Sequence, residues 1–121
     1  NLLESVLKTR RFWLEEENAD SRALELLAVF DLDKKADMRA GNLPYGQQRK
    51  LEIARALATN PKLLCLDEPA AGLDEKTRVE LEKQIAQLPC EILIVAMHNY
   101  SPEFLDSFTK VLRIRDGEIV M

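Results

Sequence analysis

Leu2, Leu3, Val6 and Leu7 recur at helical spacing, and Ala23, Leu24, Leu27 and Ala28 do so again after the charged stretch Glu15-Glu16-Glu17. With Asp20 or Ser21 as an N-cap, this pattern predicts two antiparallel helices within the first 32 residues. Residues 33 to 45 hold Asp33, Lys34, Lys35, Gly41, Asn42 and Pro44 and read as a polar connection. A helix is expected from Gly46 to Ala58, stopped by Thr59-Asn60-Pro61. From Leu63 the grammar changes. The short apolar runs Leu63 to Leu66 and Glu91 to Met97 predict parallel strands buried on both faces, separated by a helix near Glu75 to Leu88. A short helix around Pro102 to Phe108 then leads to Lys110 to Arg115, and Asp116-Gly117 makes a two-residue turn into Glu118 to Met121. Helices first, then strand, helix, strand, helix and hairpin, describe an α/β layer carrying an all-helical attachment.

Length bounds this picture: 121 residues make one domain at most. With 17 Lys plus Arg against 21 Asp plus Glu, the net charge of −4 offers no basic field for a phosphate backbone, so nucleic acid is not an expected partner. The longest apolar run, Ile92 to Met97, is far short of the roughly 20 residues that span a bilayer, so a soluble chain is expected. Cys65 and Cys90 lie in or beside apolar runs without metal-type spacing and read as buried reduced thiols. The chain starts at Asn1 and stops directly after a hydrophobic stretch, which reads as a fragment.

The candidate chemistry sits at strand ends. Asp67-Glu68-Pro69 follows the run Leu63 to Leu66, placing two carboxylates where ligands of open α/β sheets bind, a position suited to a metal and a water. An acidic turn stopped by Pro69 is the plain alternative. Ala71-Gly72-Leu73-Asp74 adds another acid after a tight turn, and His98, the single histidine, ends the next strand at the same sheet edge. Elsewhere a lone histidine is most often a surface or core residue. Leu43-Pro44-Tyr45-Gly46-Gln47-Gln48-Arg49 opens the helix from 46 to 58, whose free N–H groups and dipole can hold an anion, with Gly46 allowing close approach; an ordinary helix start is the other reading.

Together these segments resemble one family. Leu43-Pro44-Tyr45-Gly46-Gln47 matches the signature motif of ATP-binding cassette (ABC) ATPases, Leu63 to Glu68 their Walker B strand, Ala71 to Asp74 their D-loop and His98 their switch histidine. Ala40-Gly41-Asn42-Leu43 and the stretch from Tyr45-Gly46-Gln47-Gln48-Arg49 to Gly72-Leu73 are similar to the ATP-binding subunits of branched-chain amino-acid importers. The resemblance implies an α/β fold, a P-loop NTPase-like parallel sheet half with an all-helical ABC subdomain. Residues 1–60 would be the helical subdomain and 61–121 the Walker B half.

The same resemblance implies a head-to-tail pair with a second ABC ATPase subunit, ATP lying between the phosphate loop of one and the signature of the other. Asp67 would order the Mg2+ shell through water, Glu68 would polarise the attacking water, and His98 would contact the γ-phosphate side. Leu43, Pro44, Tyr45, Gly46 and Gln47, with Asp74, would serve the ATP of the partner subunit. A transmembrane permease subunit would dock on residues 1 to 42, where Phe12 and Trp13 are candidate contacts, although an aromatic pair beside helical leucines is more often core. The location implied is cytoplasmic, peripheral at the inner face of the cell membrane.

Three departures stand out. Pro44 replaces the usual Ser of the signature, removing a hydroxyl and an N–H. Tyr45 replaces the first Gly, and Asn99 replaces the Asp that often follows the histidine. The pattern G-x-x-x-x-G-K-[ST] is absent: none of Gly41, Gly46, Gly72 and Gly117 is followed by Lys. The 121 residues therefore lack the phosphate-loop half, are expected to be inactive alone, and should leave an apolar sheet face open. The competing expectations are a non-transport ATPase of the superfamily and a catalytically inert truncated fragment.

Overall fold

The computed structural model describes residues 10–120, with side chains from residue 14 onward. Helix α1 spans Arg10–Val29 without a break through Glu15-Glu16-Glu17, Asp20 and Ser21. The expected N-cap at Asp20 or Ser21 is therefore corrected. Glu, Ala and Leu dominate this stretch and propagate a helix well, and two exposed polar residues in its middle cost too little to interrupt it. The helix expected on Leu2 to Leu7 lies outside the described residues, as do the side chains of Phe12 and Trp13. A left-handed Asp31 (φ 57°) ends α1, where Leu32 N–H reaches back to the Leu27 carbonyl at 2.9 Å in a Schellman-type closure.

The polar connection holds two 3-10 turns, Asp33–Lys35 and Ala40–Asn42. Helix α2, Tyr45–Ala58, buries Lys50, Ile53, Ala54 and Leu57 on one stripe. Left-handed Asn60 and then Pro61 end it, as their types predict. Strand β1, Leu63–Asp67, pairs in parallel with β2, Ile92–Ala96, from Leu63↔Ile92 to Asp67↔Ala96. Helix α3, Glu75–Ile85, makes the crossover, α4, Pro102–Asp106, follows β2, and β3, Arg113–Arg115, with β4, Glu118–Val120, forms the expected hairpin. Its turn, Asp116-Gly117, has both φ positive, at 52° and 82°.

Phe30, Leu32, Ile53, Ala54, Leu57, Leu64, Ala70, Leu81, Ile85 and Phe104 form one buried apolar cluster that draws on the turn after α1, α2, β1, the loop after β1, α3 and α4, with Leu26, Leu27 and Val29 of α1 packed against it. The β1–β2 layer packs on it by one face only. Leu64 points inward, whereas Leu63, Cys65, Ile92 and Ile94 stand exposed on the other face. The expected burial of the strands on both faces, and of Cys65, is thereby corrected: no second layer covers this side among the described residues. Cys90 is partly buried, and both thiols are free.

Candidate functional site: two constellations at the carboxyl edge of the sheet

The first constellation follows from the parallel register. Asp67 is the last paired residue of β1, and Glu68 N–H donates to the Ala96 carbonyl at 2.8 Å, so the chain leaves both strands at the same level. Glu68 and His98 then meet: His98 Nδ1 lies 2.6 Å from Glu68 Oε1. An ionised carboxylate only accepts, so this contact places the Nδ1 hydrogen towards Glu68 and leaves Nε2 as the outward ring nitrogen. The imidazole is 79% exposed and the carboxylate 36%, so both are open to a ligand.

Glu68 has φ 45°. The other non-glycine residues with positive φ among those described are Asp31, Asn60 and Asp116, types whose short polar side chains suit the left-handed region. Glu68 has no such excuse and is strained at the candidate catalytic position. Asp67 faces a different depression, of about 130 Å3, with Arg49, Glu52 and Pro69.

The second constellation is a groove of about 380 Å3 in which Pro44, Tyr45, Gly46 and Gln47 face Gly72, Leu73 and Asp74. Neither Asp67, Glu68 nor His98 lines it. Pro44 caps α2 without a side-chain bond, and its carbonyl accepts from Gln47 N–H at 2.9 Å and Gln48 N–H at 3.0 Å. The Tyr45 and Gly46 N–H groups come first in the helix and have no carbonyl one turn back within it. Leu43 is buried, and its carbonyl accepts from Gln48 Nε2 at 2.9 Å. Gln47 Oε1 accepts from Lys35 Nζ at 2.7 Å, which brings a cation to the groove mouth.

Tyr45 joins the two walls. Its hydroxyl donates to the Ala71 carbonyl at 3.3 Å and accepts from Arg49 Nε at 2.9 Å, while the guanidinium lies 5.2 Å from its ring centroid. The Arg49 pKa is raised, first by the hydrogen bond to Glu52 and then by that to Tyr45. Gly72, at φ 75°, supplies the left-handed turn beneath the tyrosine ring. Asp74 caps α3: its carboxylate accepts from Thr77 Oγ1 at 2.6 Å and Thr77 N–H at 3.1 Å. The Thr77 hydroxyl first, and then its N–H, hold the Asp74 pKa below the usual carboxylate range.

Gly46 has a packing role that phosphate approach alone does not reveal. A Cβ there would lie 2.9 Å from Thr77 Cγ2, and Thr77 cannot swing away while Asp74 holds its hydroxyl. Gly46→Ala is therefore expected to destabilise the fold by about 1–2 kcal/mol net of the helix gain from Ala. In a Thr77→Ser background, which keeps the cap and removes the methyl, most of that loss should disappear. Urea unfolding of the two single variants and the double variant measures it; an undiminished loss in the Ser background means that the clash is not the cause.

Sequence reasoning missed Glu82, Ser101 and Lys50. Lys50 is 5% exposed, with Nζ 3.0 Å from Glu80 Oε1. Glu82 is 1% exposed and bonded to Arg78 and Ser101. The available signals were a charge beside Leu81 and Ile85 on a helix stripe, with Arg78 four residues earlier, and Ser101-Pro102, the grammar of a helix start.

The family model described as ABC transporter matches residues 2–71, more than half of the chain. The chain belongs to the ABC transporter family. It is 39% identical over its whole length to the high-affinity branched-chain amino acid transport ATP-binding protein BraF of Pseudomonas aeruginosa, covering 46% of that protein. Similarity to LivG of Escherichia coli K12, a protein of the same description, is 46% over 72% of the chain and 34% of the relative. A probable sulfate/thiosulfate import ATP-binding protein, CysA of Chlorella vulgaris, is 35% identical over 96% of the chain and 52% of its own length. A solved ATP-binding cassette of an ABC transporter superposes with a TM-score of 0.70 at 29% identity, over 84% of this chain and 40% of that one. The chain thus spans about half or less of the length of these ABC transporter relatives.

Proposed function

We propose that these 121 residues are the signature and Walker B portion of an ATP-hydrolysing subunit that drives import of branched-chain amino acids through a membrane permease. The observation that carries this is the Glu68–His98 contact at the end of the parallel β1–β2 pair, an acid and a donor side by side where a phosphoryl group and a water can be held. The descriptions of BraF and LivG, at 39% and 46% identity, support the substrate class.

In this reading Glu68 orients the attacking water through its carboxylate while His98 turns Nε2 to the γ-phosphate side. Among the described residues no cluster of three or more His, Cys, Asp and Glu residues could hold a metal, so Asp67 would hold Mg2+ only together with water and nucleotide phosphates, the usual manner for this ion. Bound there, Mg2+ supplies neutralisation of phosphate charge. The groove between residues 44–47 and 72–74 serves the ATP of a second, head-to-tail subunit, with the Tyr45 and Gly46 N–H groups as donors.

Residues 1–60 act as the helical part that meets the permease and 61–121 as the catalytic half, the two sharing one apolar cluster. No helix among the described residues is long and apolar enough to cross a membrane. In the proposed assembly the permease supplies the passage and this subunit sits peripherally at its cytoplasmic face, a place supported by the transport descriptions of BraF and LivG. The open face of β1 and β2 is where the remainder of the nucleotide-binding sheet continues.

The direct test uses the full-length protein reconstituted with its permease in vesicles. Magnesium-dependent ATP hydrolysis should rise when a binding protein loaded with leucine, isoleucine or valine is added. Hydrolysis unaffected by these but raised by sulfate would overturn the substrate class, and no hydrolysis at all would overturn the enzyme reading.

Pro44 supplies a narrower expectation. Its ring presets φ at −55° but offers neither N–H nor hydroxyl to a phosphate. Pro44→Ser adds both, so the ATP-bound dimer should tighten about tenfold, the worth of one good hydrogen bond, with turnover increased. Binding of ATP to the single subunit should stay unchanged. Dimer dissociation followed by light scattering decides this; equal or weaker dimers in the Ser variant mean that presetting the loop outweighs the added donors.

A further inference from the structure

The segment that carries His98 has little to hold it by burial. His98, Asn99 and Tyr100 are all exposed, and together with Met97 they lie between the last residue of β2 and the N-cap of α4. One end is fixed by the Asp67↔Ala96 pairing. The other end, Ser101, is the N-cap of α4, where its carbonyl accepts from Phe104 N–H at 3.1 Å, and it is held from outside that helix by a buried side chain. Glu82 Oε1 accepts from Ser101 N–H at 3.2 Å and from Arg78 Nη1 at 2.8 Å, and Oε2 accepts from Ser101 Oγ at 2.6 Å. Ser101 Oγ in turn accepts from Phe104 N–H at 3.3 Å, so one hydroxyl ties the glutamate to the first turn of α4.

We propose that Glu82 is a positioning residue for His98, acting through Ser101: its carboxylate sets where the segment from 98 to 101 ends and hence where the imidazole meets Glu68. The carboxylate suits this task because it faces only donors, the Ser101 N–H and hydroxyl and the Arg78 guanidinium, and two oxygens are needed to accept from all three. Its side chain is 2% exposed and that of Arg78 12%, so the clamp is held in a dry, rigid place while the residue it positions stays open to solvent. The same helix begins at Asp74 in the groove wall, so α3 carries the groove at its first turn and the histidine clamp two turns later. The catalytic part of this inference rests on His98 meeting the γ-phosphate side in the proposed function; the geometric part does not.

The test uses Ser101 variants of the full-length protein, because they leave the Glu82–Arg78 pair and the Ser101 N–H bonds intact. Ser101→Ala is expected to lower kcat for ATP about tenfold with KM unchanged, the size seen when a group that orients a functional residue is lost. Ser101→Thr, which keeps the hydroxyl, should restore it. In a His98→Ala background, Ser101→Ala should cause no further loss. A second readout needs no activity: the His98 ring proton resonance, assigned by its disappearance in His98→Ala, should shift in Ser101→Ala and return in Ser101→Thr. An unmoved resonance, or losses that add in the double variant, would overturn the positioning role. A resonance that moves while His98→Ala leaves hydrolysis unchanged would uphold the clamp and overturn instead the part assigned to His98 in hydrolysis.

Discussion

Glu68→Gln is expected to lower ATP hydrolysis by the full-length protein about 10²- to 10⁴-fold while ATP binding is retained. The amide has the shape of the carboxylate, and its oxygen can still accept from His98 Nδ1, now 2.6 Å from Glu68 Oε1, so the local geometry has no reason to collapse. What is lost is the negative charge that, in the proposed function, orients a water and takes its proton. Asp67, one residue earlier at the end of β1, is untouched, and with it the proposed magnesium position. The variant should consequently accumulate as an ATP-bound dimer, visible by light scattering, while phosphate release falls. Were hydrolysis to survive in Glu68→Gln and fail in His98→Ala alone, the base would be the histidine.

The second large effect is on stability. Glu82→Ala should destabilise the fold by about 3–5 kcal/mol, the cost of leaving one member of a buried ion pair behind. Arg78, 2.8 Å from Glu82 Oε1, would keep its charge in a nearly dry place, and the Ser101 N–H and hydroxyl would lose their acceptor together. The alternative source of the loss is the cavity left by the side chain. Glu82→Met alone separates the two, because it fills the volume but leaves the Arg78 charge unpaired and should remain nearly as unstable as Glu82→Ala, whereas replacing both Arg78 and Glu82 by Met removes the charge as well. The double variant should regain most of the stability in urea unfolding; a double variant as unstable as Glu82→Ala would assign the effect to lost hydrogen bonds at Ser101.

The parts of this fold that were legible in the sequence are those governed by local chemistry. Pro61 after Asn60 and Asp116-Gly117 each announce a boundary by residue type, and the structure puts an end and a turn there; Asp74, read from the sequence as one more acid after a tight turn, proves to be the cap of α3. The shared sheet edge of Asp67, Glu68 and His98 followed from reading two short apolar runs as parallel neighbours. What was not legible depends on partners distant in sequence. An apolar run looks the same whether one face of its strand is covered or both, so the exposure of Leu63, Cys65, Ile92 and Ile94 could not be read from their types. Asp20 and Ser21 offer a cap, but a cap forms only if the preceding residues leave the helix, and here they continue it. Glu82 resembles any surface glutamate of a polar helix until Ser101, 19 residues away, is placed against it.

The left-handed backbone at Glu68 gives the direction of change at this position a bias. A glutamate held at φ 45° costs the fold about 1–2 kcal/mol relative to a residue at ease there. Glycine, or asparagine, would relax the turn between β1 and Pro69, so every mutation to either is downhill for folding and fatal for the carboxylate chemistry. Return is uphill on the same scale and brings no benefit until the rest of the site is intact. On the proposed function the position would work as an evolutionary ratchet: a lineage freed from turnover would gain stability by abandoning the acid, and a demand for hydrolysis is what would keep a glutamate in a place its own backbone disfavours.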